Sequence, residues 1–272
     1  LDSAKDNPEF DVWHGGPVDG YGAAAEKGLI EAYDSPTAKE IPDKYKDPNH
    51  NWTGVYVGVL GFCSNKKVLD EKGLAVPESW SDLLKPELKG QISTAHPSTS
   101  GTAFTTLWTQ VVLGGSENAG IDYMKKMHSN VLQYTKSGTA PGQIAGRGEV
   151  AVGLVFSHDC VKYRDEGMKD LVVSFPKEGT GYEIGGVALI KNSKHSEAAK
   201  KYIDWAISAD AQNIGQTVGS NQILTNPNAK TNDKMAKLDE INLIDYDFAA
   251  AAAAKPELTK RFDEEVAAKP RE

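Results

Sequence analysis

The chain alternates short apolar runs of strand length with amphipathic stretches of helix length. Residues 54–62, Gly-Val-Tyr-Val-Gly-Val-Leu-Gly-Phe, are almost continuously apolar, the pattern of a strand buried on both faces. Residues 149–156 and 185–191 also read as strands, and shorter strands are expected at 10–13, 91–95, 131–134 and 171–175. Gly15-Gly16 is read as the end of the first strand, Pro17 as the first turn of a helix reaching about residue 27, and Gly28 as its stop. Further helices are expected at 65–72, 101–113, 116–128, 139–146 and 159–167, with a helix-start pattern at 79–84. Residues 35–51 carry Pro36, Pro42 and Pro48 and read as mostly irregular. After Ser196 the chain reads as helical to its end. Ala199, Tyr202, Ile203 and Ala206 follow the 3.6 period, and further helices are expected at 209–217, 233–238 and 256–268.

Short strands alternating with helices imply an α/β protein built on mainly parallel sheets. The strands at 54–62 and 185–191 bracket a compact α/β unit, so the segments outside the bracket pack together as the other lobe. The expected organisation is a first lobe of residues 1–58 and 188–272 and a second lobe of 59–187. A two-stranded hinge joins them, with a ligand in the cleft.

Composition narrows the function classes. The chain has 272 residues, 39% hydrophobic and 25% charged, enough for one large domain or two ordinary ones. No apolar run reaches the roughly 18 residues of a membrane span. A formal net charge of -8 argues against nonspecific nucleic-acid binding, which needs a basic face, but not against a small anion held by local donors. Cys63 and Cys160 have no metal-ligand spacing, so no metal site and no cofactor is expected. They form one disulfide only if the compartment is oxidising.

Candidate chemistry gathers at strand-to-helix turns. Ser100-Gly101-Thr102-Ala103 and Ser137-Gly138-Thr139-Ala140 are near-copies, each expected to open a helix after a strand. In an open α/β sheet such turns face the ligand crevice. Free N–H groups at a helix start, with hydroxyls beside them, hold an anion. The bland reading is that Ser100 and Ser137 are ordinary caps. Ser157-His158-Asp159 follows the strand at 149–156. His158 donates to an anion or hydroxyl and Asp159 accepts from hydroxyls, against the alternatives of a surface histidine and a capping aspartate. Glu183, in a glycine-rich entry to the last long strand, accepts hydroxyls or is simply solvated. Trp13, with His14 beside it, stacks on a ligand or belongs to the core. No GxSxG, Walker loop, HExxH or GxGxxG motif is present, so an enzyme acting on a phosphorylated substrate is the minor alternative.

Several stretches resemble the periplasmic ferric-iron, phosphonate and sugar-phosphate binding proteins of ABC importers. They are Asp11-Val12-Trp13-His14-Gly15-Gly16, residues 23–30 (AAAEKGLI), Gly58-Val59-Leu60-Gly61-Phe62 followed by residues 65–69 (NKKVL), residues 98–103 (STSGTA) and residues 148–153 (GEVAVG). The resemblance spans essentially the whole chain. It implies a type II periplasmic-binding-protein fold, two lobes closing by hinge motion, a periplasmic or membrane-tethered extracytoplasmic location, and a membrane permease as partner. Ferric-binding members carry paired tyrosines where this chain has His158-Asp159, which turns the expectation away from iron. His158 and Asp159 with Glu183 are similar to the hexose-phosphate branch. There the two turns, Ser100 to Ala103 and Ser137 to Ala140, would hold phosphate, and His158, Asp159 and Glu183, with Trp13 and His14, the sugar. Iron and phosphonate remain the alternatives. Family members also begin with a strand, a helix and a second strand, about 60 residues, ahead of the point matching Leu1. The first lobe is therefore expected to lack its N-terminal elements here, with a missing segment or another chain completing it.

Overall fold

The computed structural model describes residues 5–270. In chain order the elements are β1 (Val12–Pro17), α1 (Asp19–Glu26), β2 (Ile30–Glu31), β3 (Thr53–Asn65), α2 (Lys66–Glu71), β4 (Ile92–Ala95), α3 (Gly101–Gly114), α4 (Glu117–His128) and β5 (Val131–Thr135). They continue with α5 (Ala140–Gly146), β6 (Val152–Phe156), α6 (Ser157–Asp165), β7 (Leu171–Ser174), β8 (Tyr182–Ile190), α7 (Ser196–Ala206), α8 (Ala209–Thr217), β9 (Ile223–Leu224) and α9 (Phe248–Glu265). The chain divides into two compact units. One comprises residues 5–58, 183–235 and 248–252, and the other 59–182, 236–247 and 253–270.

In the first unit β1 and β2 pair antiparallel with β8, and β9 pairs antiparallel with the first half of β3. The fully buried Tyr21 on α1 donates its hydroxyl to the carbonyls of Gly15 and Gly186, each at 2.8 Å. Those bonds let a phenol sit in the core without an unpaired polar group. Gly15 and Gly16 do not end β1, as the sequence suggested. They take φ of +90° and +80° and the register with β8 shifts between His14 and Pro17. The pair therefore forms a bulge, which suits residues without a Cβ, and the strand runs on through Pro17 before α1 begins at Asp19.

The second unit carries the parallel part of the fold. β4 pairs parallel with both β5 and β6. β3 pairs antiparallel with β6 on one edge and with β7 on the other, giving the order β7-β3-β6-β4-β5. The sheets are therefore mixed rather than mainly parallel. Hydrophobic periodicity marks a strand but not the direction in which it pairs. Phe62, Leu60, Ile92, Leu107, Ile121 and Met124 are fully buried and form much of this unit's core. Cys63 on β3 and Cys160 on α6 are joined by a disulfide across a Cα–Cα distance of 5.5 Å.

The C-terminal third departs from the expected division at residue 188. Residues 236–247 and 253–270 belong to the second unit, because α9 buries Leu258 and Phe262 completely. The Phe262 ring packs edge-on against His96 at 5.0 Å and Tyr134 at 5.7 Å. Residues 233–238 do not form a helix. The Asn232 side chain accepts from the N–H groups of Lys234 and Met235, a local turn that competes with helix. The last helix begins at Phe248, eight residues before Pro256, since the alanine run ahead of the proline has the highest helix propensity.

Candidate anion site at the carboxyl edge of the second-unit sheet

Because β5, β4 and β6 are parallel, their carboxyl ends lie on the same edge. The turns leaving them, β4–α3, β5–α5 and β6–α6, gather there. Ser100 is the N-cap of α3, and its Oγ accepts from the Ala103 N–H at 3.4 Å. The capping reading is therefore correct for Ser100, but it leaves the hydroxyl proton uncommitted to the cap and the N–H groups of Gly101 and Thr102 without an intrahelical acceptor. The second motif differs from its copy. Pro141 occupies the first turn of α5, where a missing N–H is harmless, so the helix starts at Ala140. Ser137 stands in the preceding turn, where its Oγ accepts from the Thr139 N–H at 3.3 Å and meets the Thr139 Oγ1 at 2.9 Å. Ser137 is thus not a helix cap.

The two motifs touch. A Cβ built on Gly138 would collide with the Oγ1 of Thr102 and stand 2.7 Å from the Ser100 Oγ and 2.8 Å from the Thr102 Cβ. Gly138 therefore presses its backbone against both side chains. Thr99, which the sequence reading did not single out, ties the turns further by donating its Oγ1 to the Lys136 carbonyl at 3.0 Å. The result is one patch bearing four hydroxyls, those of Ser100, Thr102, Ser137 and Thr139. Ser100 and Thr102 are buried, whereas Ser137 and Thr139 are exposed.

His158 and Asp159 lie in the first turn of α6, which starts at Ser157 rather than at Asp159; Asp159 is not a cap. The His158 ring stacks on Phe156, with planes 12° apart and centroids at 5.9 Å. Burial lowers its pKa to about 4, so the imidazole is neutral at pH 7, and its Nδ1 is buried without a hydrogen-bond partner. An unpartnered polar atom of this kind costs about 1–3 kcal/mol. Its Nε2 stands 3.8 Å from Asp159 Oδ1, too far for a hydrogen bond. Burial raises the Asp159 pKa to about 6, partly offset by Lys162. The surface-histidine reading of His158 is thereby corrected: 13% of its side chain is accessible.

The other three candidates lie in the first unit. Trp13 stacks on Tyr21 at a centroid distance of 4.1 Å, and its Cη2 would stand 3.2 Å from a Cβ on Gly20, so its ring serves packing. His14 Nδ1 is 2.8 Å from the Tyr202 hydroxyl. It lines a pocket of about 230 Å³ with Tyr56, Tyr202 and Trp205. Glu183 is buried near the start of β8. Sequence reasoning also missed Tyr163, whose hydroxyl donates to the Thr139 carbonyl at 3.2 Å. The available signal was its position three residues after Cys160, on the same face of a helix.

A sequence profile of bacterial extracellular solute-binding proteins matches residues 18–252. The chain belongs to that family. An uncharacterized Haemophilus influenzae protein is 40% identical to this solute-binding protein over 94% of the chain and 75% of its own length. The Fe(3+)-binding periplasmic protein of Serratia marcescens is 24% identical over 84% of the chain and 67% of its own. Among solved structures, the periplasmic binding protein AfuA from Actinobacillus pleuropneumoniae, with exogenous fructose-6-phosphate bound, superposes with a TM-score of 0.92. It is 39% identical and is matched over 97% of this chain and 85% of its own. Iron-bound HitA from Pseudomonas aeruginosa, at 18% identity and a TM-score of 0.83, shares the fold. This is the type II periplasmic-binding-protein fold.

Proposed function

We propose that this solute-binding protein captures a hexose phosphate outside the cytoplasm and delivers it to the membrane permease of an ABC importer. The observation that carries the reading is His158, a buried neutral imidazole whose Nδ1 lacks a partner at the sheet edge where the two serine–threonine turns meet. A neutral imidazole both donates and accepts, which suits a sugar hydroxyl. The ionised Asp159 accepts from a second hydroxyl. Phosphate oxygens accept from the hydroxyls of Ser100, Thr102, Ser137 and Thr139 and from the N–H groups opening α3. The likeness to AfuA, whose structure holds fructose-6-phosphate, supports the same ligand class.

Ferric iron is the competing ligand, favoured by the Serratia marcescens relative. Among the described residues no three His, Cys, Asp or Glu side chains gather to hold a metal, and the Tyr163 phenol is engaged with Thr139. The test is calorimetry and thermal denaturation with fructose 6-phosphate, glucose 6-phosphate, fructose, inorganic phosphate and ferric citrate. The hexose phosphates should raise the melting temperature and be recovered unchanged; turnover, or stabilisation by ferric citrate alone, overturns the reading. His158→Ala should weaken hexose-phosphate binding by about fivefold, the worth of one buried hydrogen bond, and leave inorganic phosphate nearly unaffected. Equal losses would mean that sugar and phosphate ends have been exchanged.

A further inference from the structure

Tyr163 belongs to none of the roles assigned above, yet it joins the two halves of the candidate site. It is 4% exposed and lies on α6, five residues after His158. Its hydroxyl donates to the carbonyl of Thr139 at 3.2 Å. A Cβ on Gly142, in α5, would stand 2.9 Å from its Cε2, so the ring lies flush on the α5 backbone. One helical turn earlier on the same face, Cys160 is bonded to Cys63 of β3. Both side chains sit in one buried cluster with Ile144 and Ala145 of α5 and Val155 of β6. The helix carrying His158 and Asp159 is thus pinned to the sheet through the disulfide and to the Ser137–Thr139 turn through the phenol.

We infer that Tyr163 is a positioning residue that sets the distance between the phosphate-holding turn and the hydroxyl-recognising pair His158-Asp159, and thereby the discrimination for a ligand with both ends. The inference rests on the hexose-phosphate reading. A ligand that spans both halves needs their register, and loss of alignment weakens directional hydrogen bonds steeply. A ligand that uses one half, such as inorganic phosphate or free fructose, does not need it. Tyr163 therefore acts on the ratio of affinities, beyond any contribution to stability.

The test is Tyr163→Phe, which keeps the ring in the cluster and removes the one donor. Calorimetry with fructose 6-phosphate and with inorganic phosphate reads the ratio. Hydrogen–deuterium exchange of the ligand-free protein reads the turn. Fructose 6-phosphate should bind about fivefold more weakly, the worth of one net hydrogen bond, while free phosphate, which can settle on Ser100, Thr102 and the N–H groups opening α3 wherever the Ser137–Thr139 turn lies, changes by less than twofold and exchange over residues 136–142 accelerates. Equal weakening of both ligands would make Tyr163 merely structural, and unchanged exchange with an unchanged ratio would remove the role altogether. If the parent protein binds neither fructose 6-phosphate nor phosphate, the hexose-phosphate reading fails. In that case exchange at 136–142 alone decides whether the phenol holds the turn: faster exchange upholds the tie and unchanged exchange overturns it.

Discussion

Replacing Gly138 with alanine adds one methyl group between the two serine–threonine turns. That methyl has nowhere to go. Its carbon would overlap Thr102 Oγ1 and approach the Ser100 Oγ at 2.7 Å and the Thr102 Cβ at 2.8 Å, well inside ordinary carbon contacts of about 3.5–4.0 Å. Thr102 cannot swing aside freely, because it is buried at 9% exposure and its χ1 is restricted within α3. Ser100 moves only by releasing the cap bond to Ala103, worth about 1 kcal/mol. Overpacking of this kind costs about 1–3 kcal/mol. Part of that falls on stability, and part on the spacing of the four hydroxyls. The expected result is a urea midpoint lowered by an amount equivalent to about 2 kcal/mol, with about tenfold weaker binding of both fructose 6-phosphate and inorganic phosphate. Equilibrium urea unfolding with unchanged slope and titration calorimetry measure the two effects. A variant with parental stability and parental phosphate affinity would refute the packing argument. Lost stability with intact affinity would spare the packing and remove the turns from the anion site.

Two further outcomes follow from the same residues. The folded His158 pKa of about 4 lies below the usual 6.5, so its stability is present above pH 6.5 and lost as pH falls toward 4. Asp159, raised to about 6, acts oppositely, since its burial penalty is relieved as pH falls through 6. His158→Phe removes only the first effect. The stability of the parent relative to this variant should therefore fall by about 2 kcal/mol between pH 7 and pH 5, read by urea midpoints at each pH; a constant difference would mean that His158 is not buried neutral. Removing the disulfide with Cys63→Ser and Cys160→Ser, which frees a sequence separation of 97 residues, should destabilise the fold by about 4–5 kcal/mol on the loop-entropy estimate, seen as a lowered melting temperature. An unchanged melting temperature would show that the bond contributes nothing.

Much of the site was legible because strand-to-helix turns announce themselves. A short strand followed within a few residues by Ser-Gly-Thr, or directly by Ser-His-Asp, joins a strand to a helix start, and parallel pairing then places all three turns on one edge. Legibility ended where tertiary contact decides. The residues of Ser137-Gly138-Thr139 repeat those of Ser100-Gly101-Thr102, yet only Ser100 caps a helix, because Pro141 fixes the start of α5 at Ala140. Gly15-Gly16 reads as a stop in any local window. It becomes a bulge only because β8 supplies partners for Trp13 and His14 on one side and for Pro17 on the other. Likewise, α9 is assigned to a unit not by its sequence position but by Phe262 inserting beside His96 and Tyr134.

The burial of His158 shows most clearly why the remainder was hidden. Nothing in the residues Ser157-His158-Asp159 distinguishes a solvated imidazole from a neutral one held against Phe156. In the folded chain α6 is tied to β3 by the Cys63–Cys160 bond and to the β5–α5 turn by the Tyr163 hydroxyl. Those partners lie 97 and 24 residues away along the chain, far outside any periodicity window. The chemistry of the site is therefore written locally, as hydroxyls, an imidazole and a carboxylate at strand ends. Its electrostatics, a histidine held neutral and an aspartate held near pH 6, are set by long-range packing.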